Sequence, residues 1–351
     1  MAETPSKARR KRAPRFADIA AEAGVSEATV DRVLNERGSV SATARERVVS
    51  AAARLGVTRR LPDTRHGIVH VDVVLPINHT PFFRRIDAAL QRAISALDQR
   101  IVVHRLRVDD RPDEFTQAMV SPPYPRAGLI IASPSSPSTI AALSAVAASG
   151  VPVVTVVSDL PEVDRRRYVG IDHYEAGRTA GYALGRFCGG VGNVLVLPAV
   201  RDYLAHRERV RGCVDELAEH FPGCRAIVPD ADTRDDPSRC YAAVQSTLRE
   251  QPIEGIYSTG DGAEGIESAL KRAGRLGRVT WVGHEIDDVH RRLLDARQMD
   301  LVIDQDPDGQ AIAALDYLLR ASGETTGGVT PAFDGEFRLY MPTNARRSAY
   351  L

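Results

Sequence analysis

The segment Gly260-Asp261-Gly262-Ala263-Glu264-Gly265 fits the spacing G-x-G-x-x-G, follows an apolar strand-like run, opens a helical pattern and precedes Glu285 by 20 residues. That arrangement is the chemistry of a pyrophosphate held on a helix N-terminus, with an acid for a ribose hydroxyl. Two observations argue against it. Asp261 and Glu264 put carboxylates where the pyrophosphate would sit, and the unit comes late in the chain, after several strand-helix-strand repeats. The glycines of 189–192 precede their strand and read only as a turn. Covalent and hydrolytic chemistry leave no signature: there is no G-x-S-x-G elbow and no H-E-x-x-H, and the nine histidines are scattered. Cys188, Cys213, Cys224 and Cys240 form no Cys-x-x-Cys pair and read as small buried hydrophobes rather than ligands or disulfides. The expectation is a protein that is not an enzyme and needs no cofactor and no metal.

Non-covalent chemistry has better candidates. Asp261, Glu285 and Gln305 each follow a strand-like run, and Asn78, Phe82 and Phe83 lie just beyond another, where an amide and two aromatic faces could hold a hydroxylated ring. Fixed polar groups for hydroxyls and apolar faces for C–H surfaces are what sugars and polyols require. The elements that must position these residues follow one rhythm. Apolar runs at Val69 to Leu75, Ile101 to Leu106, Gly128 to Ala132, Val153 to Val157, Asn193 to Leu197, Gly255 to Tyr257, Thr280 to Val282 and Leu301 to Ile303 alternate with amphipathic helices such as Phe82 to Leu97, Ala176 to Cys188, Arg207 to His220 and Glu264 to Ala273. Such alternation predicts right-handed βαβ units and parallel sheets, here split into two lobes with a ligand cleft at the carboxyl ends of the strands.

Residues 16 to 55 are different in kind. Phe16, Ile19, Ala20 and Ala23 form one helical stripe, Val30, Val33 and Leu34 a second, and Val48, Ala52 and Leu55 a third. Ala23-Gly24-Val25-Ser26 is a tight turn: Gly24 suits a site that a Cβ would disfavour, and Ser26 can cap the next helix, as Ser41 can cap the third. This is a helix-turn-helix, in which the second helix can enter a DNA major groove, leaving Glu27, Ala28, Asp31 and Arg32 outward. Charge agrees. The chain has 46 Lys and Arg and 46 Asp and Glu, but residues 1–60 hold 13 against 7, hence +6, and the remainder 33 against 39, hence −6. A basic arm, Lys7 to Arg12, leads into the helices and suits phosphate contacts. At 351 residues the chain exceeds one core, and no apolar run approaches the roughly 20 residues that span a bilayer. A basic start followed by a polar helix is not a secretory signal, so a cytoplasmic, nucleoid-associated protein without a membrane partner is expected.

The chain resembles the lactose-repressor (LacI) family of bacterial transcription regulators over about residues 15 to 345. Asp18-Ile19-Ala20, Ala23-Gly24-Val25-Ser26, Ala28-Thr29-Val30, Arg32-Val33-Leu34-Asn35 and Val40-Ser41 stand in the family's order and spacing. In the remainder, Asn78 with Pro81-Phe82-Phe83, Arg207-Glu208-Arg209, Gly260-Asp261, Val282-Gly283 and Asp304-Gln305-Asp306-Pro307 resemble the ribose-binding branch of the periplasmic-binding-protein fold. The fold class implied is an all-α helix-turn-helix head on an α/β periplasmic-binding-protein-like body of two parallel-sheet lobes. The implied divisions are a disordered arm at 1–14, a DNA-binding domain at 15–57, a hinge at 58–66 and an effector-binding and dimerisation domain at 67–351. Within that domain, lobe 1 takes about 67–167 and 306–331 and lobe 2 takes 168–305 and 332–351, with crossings near Arg165 to Tyr168, Gln305 and Pro331 to Phe333.

The resemblance assigns groove reading to Glu27, Ala28 and Arg32, and phosphate or cap positions to Ser26, Thr29 and Asn35. Arg32 is the foremost base reader, since a guanidinium bonds guanine O6 and N7 together. Asp31 departs from the family's usual serine, and its carboxylate repels phosphate unless it pairs. In the hinge, Arg59, Arg60 and Leu61 only partly match the family's Asn-x-x-Ala-Arg-x-Leu helix, whose leucine wedges into the minor groove, and Pro62 would end a helix there. The implied effector residues are Asn78, Phe82, Phe83, Ser158, Arg207, Asp261, Glu285 and Gln305, with His79, His206 and His284 adjoining. Val157-Ser158-Asp159 stands where ribose binders carry Asp-Arg, and Glu285 replaces an aspartate, so ribose itself is not implied. What is implied is a homodimeric repressor of a double-stranded DNA operator, controlled by a sugar or polyol. The rival readings are a DNA-free sugar carrier and an enzyme acting on a sugar or nucleotide.

Overall fold

A computed structural model describes residues 14–35, 37, 40–57, 68–120, 122–164, 167–323 and 333–345. The basic arm and the hinge residues Arg59, Arg60 and Leu61 lie outside the described residues. The chain divides into two compact units, residues 1–68 and 69–351.

The first unit is three helices, α1 (Phe16–Ala23), α2 (Glu27–Leu34) and α3 (Ala42–Arg54). Gly24 ends α1 in the left-handed conformation at φ 63°, which turns the chain sharply, and the Ser26 hydroxyl accepts from the Thr29 amide at 3.2 Å to start α2. Ser41 caps α3 through the Ala44 amide. Ile19, Ala20, Ala23, Val30, Val33, Leu34, Val48, Ala51 and Ala52 form the core, with Phe16 packed at its edge. Leu55 is not part of it. It caps the C-terminus of α3 and stays exposed, while Val57, whose amide returns to the Ala52 carbonyl, packs on the core instead.

The second unit carries two sheets. In the first, β1 (Val69–Pro76), β2 (Ile101–Val108), β3 (Arg126–Ile131), β4 (Val153–Val156) and β5 (Arg167–Val169) run parallel in the order β2-β1-β3-β4-β5. In the second, β6 (Val191–Leu197), β7 (Gly223–Ile227), β8 (Gly255–Ser258), β9 (Thr280–His284) and β10 (Leu301–Asp304) are parallel, and β11 (Arg338–Tyr340) joins β10 antiparallel, giving β11-β10-β9-β8-β6-β7. The helices between them are α4 (Pro81–Ser95), α5 (Pro112–Met119), α6 (Pro137–Ala148), α7 (His173–Phe187), α8 (Leu204–His220), α9 (Pro237–Glu250), α10 (Ala263–Arg272), α11 (Asp288–Asp295) and α12 (Pro307–Ala321). Central strands β1, β3, β4, β8, β9 and β10 are almost wholly buried, as strands covered on both faces must be.

The chain changes lobe between elements of known place. The first crossing lies later than Arg165 to Tyr168: Tyr168 pairs with Thr155 and Val169 with Val156, so the first sheet runs to Val169 and the crossing spans Gly170 to Asp172. The second passes Gln305 between β10 and α12, and α12 packs on α4, β3 and β4 of the first lobe. Phe333 packs against the cores of both lobes at the third. Cys213, Cys224 and Cys240 are buried and Cys188 half-buried, all as free thiols.

Candidate functional sites

On the first unit, α2 turns Glu27, Ala28 and Arg32 to solvent, because Val30, Val33 and Leu34 take the core side of the helix. Ser26 and Thr29 share a hydroxyl contact of 2.9 Å, so Thr29 is tied into the cap at the start of the helix. Asp31 finds a neutral partner: the Asn35 amide donates to its Oδ1 at 2.7 Å, one turn on. The exposed face therefore offers one cation, one acid and a small side chain in a row.

On the second unit, the carboxyl ends of both sheets meet around a cleft. The first lobe contributes Asn78, Phe82, Phe83 and Asp110, and the second Tyr203, His206, Arg209, Asp235, Asp261, His284, Glu285, Asp287 and His290, with Gln305 at the crossing. Phe82 and Phe83 meet edge to face at 5.3 Å, presenting aromatic surface beside Asn78. The structure thus brings together six of the eight expected effector residues. Ser158 and Arg207 stand outside the lining. The Ser158 hydroxyl is buried and accepts from the Ala205 amide at 3.2 Å, and the Arg207 guanidinium donates to the Arg201 carbonyl at 2.5 Å. His79 lies in a neighbouring groove, not in this cleft.

The arginine of the cleft is Arg209. It is buried and fixed by two bonds, from Nη1 to the Thr259 carbonyl at 2.7 Å and from Nε to His173 Nδ1 at 3.2 Å. Because His173 Nε2 donates to the Val157 carbonyl at 2.6 Å, its Nδ1 is left as the acceptor that Arg209 needs. Close packing makes this possible. A Cβ on Gly177 of α7 would come within 2.3 Å of the Arg209 carbonyl, and one on Gly212 of α8 within 2.1 Å of the Tyr174 carbonyl, so glycine at both sites lets α7 and α8 touch backbone to backbone. The sequence held a signal for Arg209: it shares the buried face of α8 with Ala205, Gly212, Cys213 and Glu216. A charge on such a face calls for a function.

The glycine motif has a packing explanation too. A Cβ on Gly260 would stand 2.3 Å from an Asp235 oxygen, Gly262 takes φ 105° at the start of α10, and a Cβ on Gly265 would run into the Pro237 carbonyl. The Asp261 amide donates to Asp235 at 2.8 Å, and this tight loop carries Asp261 to the cleft.

Electrostatics in the cleft are set by burial. It pushes Glu285 up to about 8, with Asp304 adding to the effect, and Asp235 up to about 6; Asp110 and Asp261 also rise. The histidines move the other way: burial and the nearby Arg209 bring His206 down to about 3 and hold His173 and His284 well below the usual range. All three are neutral at pH 7. Among the described residues, His206 Nδ1, His284 Nδ1, Glu285 Oε2 and His290 Nε2 are buried polar atoms without a hydrogen-bond partner, and all four residues line the cleft. No three His, Cys, Asp or Glu side chains among the described residues are grouped to hold a metal ion, and no described helix is long and apolar enough to cross a membrane.

Comparison with known proteins matches residues 71–325 to the periplasmic binding protein domain and residues 16–59 to the bacterial regulatory proteins of the lacI family. The chain belongs to the periplasmic binding protein domain family and carries a lacI-family head. Among curated proteins it is similar to the HTH-type transcriptional regulators reg1 of Streptomyces lividans, 42% identical over 81 residues, and MalR of Streptomyces coelicolor, 42% identical over 83. Each match spans 23% of this chain and 24% of the relative. Among solved structures, the fold is similar to GanP, a glucose-galactose binding protein of Geobacillus stearothermophilus (TM-score 0.69, 18% identity, 80% of this chain and 99% of that one). It is also similar to a solute binding protein of Bacillus halodurans with bound myo-inositol (TM-score 0.69, 16% identity, 80% and 97%). The expected architecture, a helix-turn-helix head before a body of two parallel-sheet lobes, is the one observed.

Proposed function

We propose that this chain is a DNA-binding transcription regulator, a repressor whose operator affinity is set by a small hydroxylated effector, a sugar or polyol, in the cleft of its body. The observation that carries the reading is the joining, in one chain, of a lacI-family head with Arg32 and Glu27 exposed on α2 to a body whose cleft holds buried polar atoms awaiting partners. Four unpartnered atoms beside two aromatic faces suit a ligand with several hydroxyls and a C–H face. The sugar-binding and inositol-bound proteins of the same fold support that ligand class, and the Streptomyces regulators support the role in transcription.

The active species in this reading is a homodimer in the cytoplasm, two heads reading a near-palindromic operator with half-sites one helical turn apart. Residues 59–61 serve as its hinge. The effector acts only through its differential affinity for two lobe arrangements, so coupling of ordinary size changes operator affinity about 5- to 150-fold. The test has two stages. Sugars and polyols are screened by thermal shift, and operator binding is then titrated with and without each hit at two salt concentrations. A hit that weakens operator binding within that range supports the reading. One that stabilises the body and leaves DNA affinity unaltered contradicts it.

A further inference from the structure

We propose that the cleft takes a hydroxylated amine, an amino sugar or aminocyclitol whose ammonium group sits against Glu285. The inference rests on the effector reading above and narrows it to a cationic class. Its first support is the charge of the lining. Five carboxylates, Asp110, Asp235, Asp261, Glu285 and Asp287, face a single guanidinium, that of Arg209. Among the described residues, none of the five is ion-paired with an arginine or lysine. Asp110 accepts from the Tyr203 hydroxyl, Asp235 from the Asp261 amide, Asp261 from the Gly262 amide, Asp287 from His290, and Glu285 Oε1 from the Gln305 amide at 2.6 Å. Of the cations outside the lining, Arg85, which acts on Glu285, is spent on Asp304 and Asp308 at 2.5 and 3.1 Å, and Arg234, which acts on Asp110, lies exposed. Arg209 itself is held by neutral acceptors, Thr259 and His173. Carboxylates removed from water without a cation are costly, and a ligand ammonium is the missing counter-charge.

The second support is independent of charge. His284, only 1% exposed, keeps Nδ1 without a partner, and Glu285 Oε2 beside it is equally unsatisfied. His284 Nε2 is engaged with the Tyr257 hydroxyl at 2.6 Å, so the ring is fixed with its other nitrogen unused. An ammonium carries three donors and no acceptor, which suits Glu285 Oε2 and the neighbouring carboxylates, while the imidazole nitrogens of His206 and His284 take hydroxyls. Burial raises Glu285 to about 8, so an ammonium at Oε2 replaces the proton that the empty site would otherwise take up at neutral pH. The same excess of negative charge rejects sugar phosphates and sugar acids.

The experiment uses the purified full-length chain at pH 7 and matched pairs of probes: D-glucosamine and D-glucose, D-galactosamine and D-galactose, 2-deoxystreptamine and myo-inositol. N-acetyl-D-glucosamine serves as a charge-free control. Calorimetric titration should show at least one amine bound about tenfold or more tightly than its neutral parent, the scale of a close charge pair. Glu285→Gln keeps the side chain's size and should bring that ratio near one; a thermal melt of the variant verifies that it is folded. A neutral parent bound as well as its amine, or a ratio that survives in E285Q, overturns the cationic class and leaves the sugar or polyol reading standing. Binding of no member of either series overturns both.

Discussion

At the scale of single residues, two side chains carry most of the account. Arg32 is exposed on α2 and free to swing into a groove, with the Asp31 carboxylate already held by Asn35. Arg32→Ala should weaken operator binding by about 1 to 3 kcal/mol, relaxing sequence choice at one base pair, with little change in binding to random DNA. Competition titrations with substituted operators measure this, and unchanged specificity would remove Arg32 from base reading. Glu285 governs the body. Its carboxyl is raised in the folded state, so the protein binds that proton more tightly folded than unfolded, and the associated stability is lost as pH rises from about 4.5 toward about 8. Without ligand, Glu285→Gln should therefore raise the melting temperature more at pH 8 than at pH 5. Equal effects at both values would mean the group is not desolvated as described.

Elements decide where such residues stand. Gly177→Ala sets a methyl group against the Arg209 carbonyl and forces α7 from α8, which should cost about 1 to 3 kcal/mol by urea midpoint. It should also weaken effector binding, because Arg209 rides on α8. Stability lost without loss of affinity would separate the helix contact from the cleft. Helix faces also explain what could be read in advance. The central strands are legible because burial on both faces makes them continuous apolar runs. The edge strands β5, β7 and β11 are not, since they are only 3 to 5 residues long and Arg167, Arg225 and Arg338 lie exposed within them, whereas the 8-residue edge strand β2 keeps its apolar run despite exposed Arg105 and Arg107. Asn78, Asp261, Glu285 and Gln305 are legible because they follow strands. Arg209 is hard to tell from Arg207 in the sequence because the strand rule is silent inside a helix; only the face rule separates two arginines two residues apart. Asp110 and Asp235 follow a strand end and a loop, and only the fold shows that they meet across one cleft.

For the body as a whole, polar contacts between the lobes among the described residues include those of Ser158 with the Ala205 amide and of His173 with the Val157 carbonyl. Tyr203 of the second lobe donates to Asp110 of the first at 2.5 Å, the Ser135 amide donates to the Asp202 carbonyl, and Arg85 reaches Asp304. Tyr203→Phe leaves Asp110 without that donor and should lower effector affinity by about 1 to 3 kcal/mol by calorimetry, with the ring's packing kept. Undiminished affinity would mean that closure does not use this bond. The measurement closest to the central claim is reciprocal. Effector affinity is determined by calorimetry on the free protein and on the protein saturated with operator DNA, at one salt concentration. Linkage requires the two affinities to differ by the same factor by which effector changes DNA affinity, about 5- to 150-fold. Identical effector affinity with and without operator would show that head and cleft are uncoupled, and the proposed function would fall.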